Sequence, residues 1–170
     1  MKILKPDLIY KGVKYIDYET LKKIGVQGIL LDIDNTLIDY TKALSDEIID
    51  WVENAKNEGF KLCILSNSNK LNKIIPIAEK LDLKYISFAK KPAKTGYLKA
   101  AQLLNIEDVS KIAMVGDQVF TDVLGANKIG MTSIYVEPIN KKEYWYTKWK
   151  RPIEGIILKF YKEKTVKNKN

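Results

Sequence analysis

The sequence predicts an α/β protein built in three layers, a central parallel sheet of about five strands with helices on both faces. Two observations carry this. Apolar runs with strand character alternate regularly with segments of helical periodicity. The intervening segments are long enough to be the right-handed crossovers that join parallel strands. With 170 residues and 46% hydrophobic content, the chain is one domain's worth of polypeptide, able to bury a core without disulfides or metal staples.

The elements follow in order. Residues 27–33 read as a buried strand ending in Asp34-Asn35-Thr36. Ser45 is placed to cap a helix, with Asp46 and Glu47 complementing its dipole and Ile48, Ile49, Val52 and Ala55 on its apolar face. Gly59 closes that helix. Residues 60–65 form a second strand, followed by the polar turn Ser66-Asn67-Ser68-Asn69 and a helix carrying Leu71, Ile74, Ile75, Ala78 and Leu81. Pro76 inside it is expected to kink the helix or move its start. A short strand over 85–88 precedes Ala89-Lys90-Lys91-Pro92, and 93–104 is helical. A fourth strand over 111–115, a short helix over 121–129 and a fifth strand over 131–136 complete a Rossmann-like core. Residues 1–140 make the core, with 1–26 as its lead-in, and 141–170 form a separate tail that packs on the core or extends from it.

Absences exclude several chemistries. There is no histidine, which removes Ser-His-Asp and Cys-His catalysis and histidine-containing zinc sites. The single cysteine, Cys63, lies in an apolar run and reads as a buried structural thiol. The only arginine is Arg151, far from Cys63, so cysteine-phosphatase chemistry has no partner. No run reaches the roughly 18 apolar residues of a membrane span, and the start lacks a signal peptide's apolar region. The expected location is cytoplasmic, including the inner face of the membrane.

Ligands of open parallel sheets bind at the carboxyl ends of the strands. Four successive strand ends carry Asp32 with Asp34-Asn35-Thr36, then Ser66-Asn67, then Lys91, then Gly116-Asp117 with Thr121-Asp122. Each alone reads as an Asx turn, a helix cap or a solvated lysine. Together they bring carboxylates, a hydroxyl and an ammonium into one crevice. Crowded carboxylates call for a hard divalent cation such as Mg²⁺, and Ser, Asn and Lys suit a phosphate. Asp32 and Asp34 are two apart and share one side of a strand. One carboxylate can then attack phosphorus while the other protonates the leaving oxygen. Residues 125–130 have the glycine spacing of a P-loop but lack its lysine, and no Gly-x-Gly-x-x-Gly occurs.

The segments Asp32-Ile33-Asp34-Asn35-Thr36-Leu37, Ser66-Asn67-Ser68, Lys91-Pro92 and Gly116-Asp117-Gln118-Val119-Phe120-Thr121-Asp122 resemble the four motifs of the haloacid dehalogenase superfamily. Leu4-Lys5-Pro6-Asp7, the run 121–131 and Thr147-Lys148-Trp149-Lys150-Arg151 are similar to its subfamily IIIA, the YqeG-like phosphatases that include phosphatidylglycerophosphate phosphatases. The resemblance implies that Asp32 is the nucleophile and Asp34 the general acid and base. It implies that Ser66 and Lys91 hold the phosphoryl group with Asn67 nearby. It also implies that Asp117, Asp32 and the Asp34 backbone carbonyl surround Mg²⁺. Thr36 and Asp122 would support the site, Asp122 through Lys91 or the metal shell. Lys90 competes with Lys91 for the site lysine, and Lys91 is preferred because Lys-Pro is the family's form.

Spacing adds an inference of its own. From Asp34 to Ser66 is 32 positions and from Ser66 to Lys91 is 25, each enough for one helix and one strand, so the core is capless. An open site accepts phosphate carried on something too large to enclose. The tail, 141–170, holds ten basic and three acidic residues, net +7 of the chain's +8, together with six of its 17 aromatics. Trp and Tyr beside Lys suit a membrane interface, and they equally suit a helix packed on the core through Ile153, Ile156, Ile157 and Phe160. The expected substrate is an anionic phospholipid at a membrane surface, phosphatidylglycerophosphate first. The alternatives are a phosphatase of nucleic-acid ends and a non-catalytic module that binds RNA or protein.

Overall fold

The computed structural model describes residues 2–39, 41, 43–140 and positions 155 and 159. The helix expected in the tail lies outside the described residues apart from Gly155 and Lys159, which are helical and exposed.

The strands are β1 (Leu8–Tyr10), β2 (Gly28–Leu31), β3 (Lys61–Leu65), β4 (Lys84–Ile86), β5 (Ile112–Gly116) and β6 (Thr132–Val136). The helices are α1 (Tyr18–Lys23), α2 (Asp46–Asn57), α3 (Leu71–Leu81), α4 (Lys94–Leu103) and α5 (Leu124–Ile129). One parallel sheet runs in the order β1-β6-β5-β2-β3-β4, so the expected five strands are present and a sixth joins them. The addition is β1, from the lead-in, in register with β6 as Leu8 opposite Ile134 and Tyr10 opposite Val136. Asp7 locks this edge: Oδ2 accepts from the Ser133 backbone N–H at 2.8 Å and from its hydroxyl at 3.0 Å.

Because successive strand residues point to opposite faces, the sheet divides its apolar side chains between two cores. Ile29, Leu31, Ile64 and Val115 face α2 and α3, meeting Trp51, Val52, Ile74 and Leu81. Leu30, Cys63, Leu65 and Met114 face α4 and α5, meeting Tyr97, Ala100 and Ala126. Cys63 is fully buried, and desolvation pushes its thiol up to about 12, as suits an inert core residue.

Local details refine the expectations. Ser45 occupies the N-cap of α2 in extended conformation, but its side chain makes no capping bond. Gly59 follows the helix with φ 90°, a left-handed conformation that glycine adopts without a Cβ penalty. Pro76 lies inside α3, which starts before it at Leu71, so the proline does not move the start. Asn72, whose carbonyl loses its partner to the missing N–H, faces solvent. The expected helix over 121–129 divides into a wide π-type turn, Val119–Val123, and α5.

The chain order places a switch point between β2 and β5: from β2 the chain moves outward through β3 and β4, then returns to β5 and moves the other way. Between β3 and β4 there is room only for α3, and between β2 and α2 only for residues 32–45.

Candidate active site

Asp32 follows β2 directly, its backbone N–H bonded to the Val115 carbonyl at 3.0 Å, and Asp117 follows β5. The two flank the switch point. Lys91, on the connection from β4 to α4, extends its ammonium to Asp32 Oδ1 at 2.6 Å and Asp122 Oδ1 at 2.7 Å. All four side chains are buried, Asp117 completely. Carboxylate oxygens of Asp32, Asp117 and Asp122 lie within 4.8 Å of one another.

Asp122 enters this cluster because the π-type turn aims it inward and Gly116 makes room. Its Oδ2 accepts from the Gln118 N–H at 3.1 Å, and a Cβ on Gly116 would lie 2.2 Å from that oxygen. Tyr97 of α4 secures the turn from behind, donating its hydroxyl to the Thr121 carbonyl at 2.8 Å. Gly125 is needed for this, since a Cβ there would lie 2.1 Å from the Tyr97 hydroxyl.

Lys91 is itself held by Asn67. The Asn67 carboxamide accepts from the Lys91 N–H at 2.6 Å and donates to the Lys91 carbonyl at 3.0 Å. Asn67, expected beside the phosphate, therefore spends its side chain on the backbone of the site lysine. Ser66 is buried at the end of β3, its hydroxyl accepting from the Ser68 N–H at 3.2 Å. Thr36 is buried with its hydroxyl oxygen unpartnered among the described residues. Lys90 turns outward, exposed, with its Nζ 5.1 Å from the centre of the Phe88 ring, whereas Lys91 enters the buried cluster.

Asp34 stands apart from the buried cluster. Both its oxygens accept from Lys73 of α3 at 2.7 Å, and its side chain keeps 38% of its exposure. The side chains whose oxygens lie close enough to share a metal are those of Asp32, Asp117 and Asp122, while Asp34, expected to contribute its backbone carbonyl, has its side chain engaged by Lys73. Lys73 escaped the sequence reading. The signal for it is its place in the first turn of the helix that follows a site-bearing strand end.

Electrostatically, desolvation pushes the Asp32 carboxyl up to about 7, with Lys91 opposing and Asp122 adding to the rise. Burial alone would lower Lys91, but the charges of Asp122 and Asp32 outweigh it and hold the ammonium firmly protonated. Burial also raises the Tyr97 phenol far above its ordinary value, so it remains a donor. Three buried carboxylates against one ammonium leave an excess of negative charge, and every donor is a hard oxygen. That combination fits a divalent cation such as Mg²⁺.

The comparisons with known proteins agree with this chemistry. A family model for haloacid dehalogenase-like hydrolases matches residues 41–130. The Bacillus subtilis protein named "probable phosphatase YqeG" is 32% identical over 164 residues, covering 96% of this chain and 94% of that protein. An Arabidopsis thaliana protein named phosphatidylglycerophosphate phosphatase 1, chloroplastic/mitochondrial, is 28% identical over 95% of this chain and 49% of its own length. Among solved structures, a haloacid dehalogenase phosphatase from Thermococcus onnurineus superposes with a TM-score of 0.50 at 25% identity, covering 60% of this chain and 50% of that one. The chain belongs to the haloacid dehalogenase-like hydrolases, and within them to the phosphatases.

Proposed function

We propose that this phosphatase is a Mg²⁺-dependent phosphomonoesterase that works through an aspartyl-phosphate on Asp32 and takes a phosphatidylglycerophosphate-type lipid as substrate. The observation that carries the chemistry is the buried Lys91 ammonium shared between Asp32 and Asp122 beside Asp117. Lys91 holds Asp32 Oδ1, leaving Oδ2 to attack phosphorus as the ester P–O bond breaks. The departing alkoxide takes a proton from the Asp34 carboxyl. Asp34, then a carboxylate, accepts a proton from the water that attacks the phosphoryl group, which leaves as inorganic phosphate and frees Asp32. Lys91 and the Ser66 hydroxyl bind phosphoryl oxygens, and Asn67 keeps Lys91 in register. Asp32, Asp117 and the Asp34 carbonyl would hold Mg²⁺, which supplies charge neutralisation at the phosphoryl oxygens.

Asp34 suits its role through exposure. Its side chain is 38% exposed although Lys73 is only 11% exposed, so from the water side the carboxyl can exchange protons with substrate. The lipid reading is supported by the open, capless approach, by the +7 aromatic tail and by the name of the Arabidopsis relative.

The test is phosphate release from lipid, nucleotide and 3′-phosphorylated DNA, with Mg²⁺ and with chelator, by wild type and Asp32→Asn. The expected result is fastest release from the lipid, lost with chelator and with Asp32→Asn. Unchanged release by Asp32→Asn would sink the nucleophile assignment, and faster release from DNA would sink the lipid reading.

A further inference from the structure

The connections that follow parallel strands all leave the sheet at the same edge, and three of them present a large apolar side chain to water. Leu71 opens α3 after β3 and is 46% exposed, Phe88 follows β4 at 58%, and Ile139 follows β6 at 48%. Backbone bonds tie two of them to the crevice. The Phe88 N–H donates to the Ser68 carbonyl at 2.9 Å, and the Ile139 N–H donates to the Asn35 carbonyl at 3.0 Å, one residue from Asp34. Single exposed apolar residues need no explanation. Three of the seven that are exposed among the described residues, set around one catalytic crevice, are a pattern.

The Phe88 loop strengthens it. Phe88 and Lys90 adopt left-handed conformations, with φ 48° and 55°, which cost a non-glycine residue about 1–2 kcal/mol each. Between them Ala89 is buried and bonded to Ser66, so the strained path sends Phe88 and Lys90 outward while Lys91 enters the site. Lys90 covers the Phe88 ring, and exposed Lys70 precedes Leu71. Apolar side chains flanked by ammonium groups match an anionic lipid surface, where rings and alkyl chains enter the acyl boundary and lysines meet headgroups.

We propose that Leu71, Phe88 and Ile139, with Lys70 and Lys90, form an interfacial rim that seats the open crevice directly on an anionic bilayer. The rim is separate from the C-terminal tail and sets the orientation of the site toward its substrate. The proposal rests on the lipid reading for its occupant, but its test uses vesicles that contain no phosphomonoester, so failure of the substrate assignment leaves the result interpretable.

Full-length wild type and the triple variant Leu71→Ser, Phe88→Ser, Ile139→Ser are sedimented with vesicles of phosphatidylcholine and phosphatidylglycerol, and with phosphatidylcholine alone. All three side chains are exposed, so matching unfolding midpoints confirm that the variant is folded. The expected result is a loss of about tenfold or more in partition to the anionic vesicles. A Phe88→Trp variant supplies a positive signal, quenching by brominated acyl chains in excess of that from the native tryptophans. Equal partition of wild type and triple variant, no added quenching from Trp at 88, or tighter binding to single-stranded DNA than to anionic vesicles would each overturn the proposal.

Discussion

Two lysines of this molecule meet aspartates at nearly equal distances in different surroundings. Lys91 meets Asp32 at 2.6 Å and Asp122 at 2.7 Å, with its side chain 2% exposed. Lys73 meets Asp34 at 2.7 Å, with Lys73 11% exposed and Asp34 38%. Distance does not separate them; water does. In the buried cluster every charge has lost its hydration, so removing one partner strands the others. At the part-buried pair, water still reaches Asp34 and replaces a lost lysine at small cost. A scaffold for a nucleophile benefits from the first arrangement and a proton-transferring acid from the second.

The contrast breaks if the two lysines prove equivalent. Lys91→Met should destabilise the fold by about 3–5 kcal/mol in urea unfolding, since Asp32 and Asp122 then face each other without their cation. It should also abolish turnover. Asp34→Asn should lower kcat on alkyl phosphomonoesters by about 10²–10⁴, with a smaller loss on p-nitrophenyl phosphate, whose leaving group needs no proton. Its stability should stay within about 1 kcal/mol of wild type, which separates a chemical role from a structural one. Gly116→Ala should cost about 1–3 kcal/mol and impair Mg²⁺ activation, because the new methyl collides with Asp122. Lys73→Met should change unfolding free energy by only about 0–1 kcal/mol. A loss as large as that of Lys91→Met would refute the comparison.

Much of the candidate site was legible because strand ends announce themselves: apolar runs give way to Asp34-Asn35-Thr36, to Ser66-Asn67 and to Gly116-Asp117. What was hidden depends on three-dimensional packing. Lys90 and Lys91 are adjacent and chemically identical in sequence, and only the left-handed backbone at Lys90 turns one outward and the other in. Lys73 reads as a solvated helix charge until α3 is placed over the end of β2. Asn67 carries the right chemistry for phosphate, yet the Lys91 backbone reaches it first. Strand β1 is three residues long, too short for any periodicity, and its existence depends on pairing with β6, some 125 residues away. The π-type turn that aims Asp122 inward has no signature beyond Gly116, whose necessity shows only once Asp122 is packed against it.

The proposed chemistry requires Asp32 to become covalently phosphorylated. Acid-quenched enzyme, stopped during turnover of p-nitrophenyl phosphate, whose leaving group needs no proton, and digested for mass spectrometry, measures this directly. A phosphoryl group should appear on the peptide containing Asp32, accumulate in Asp34→Asn where hydrolysis of the intermediate is slowed, and vanish in Asp32→Asn. Turnover by the wild type without that adduct in either active form, or an adduct on another residue, would contradict the account.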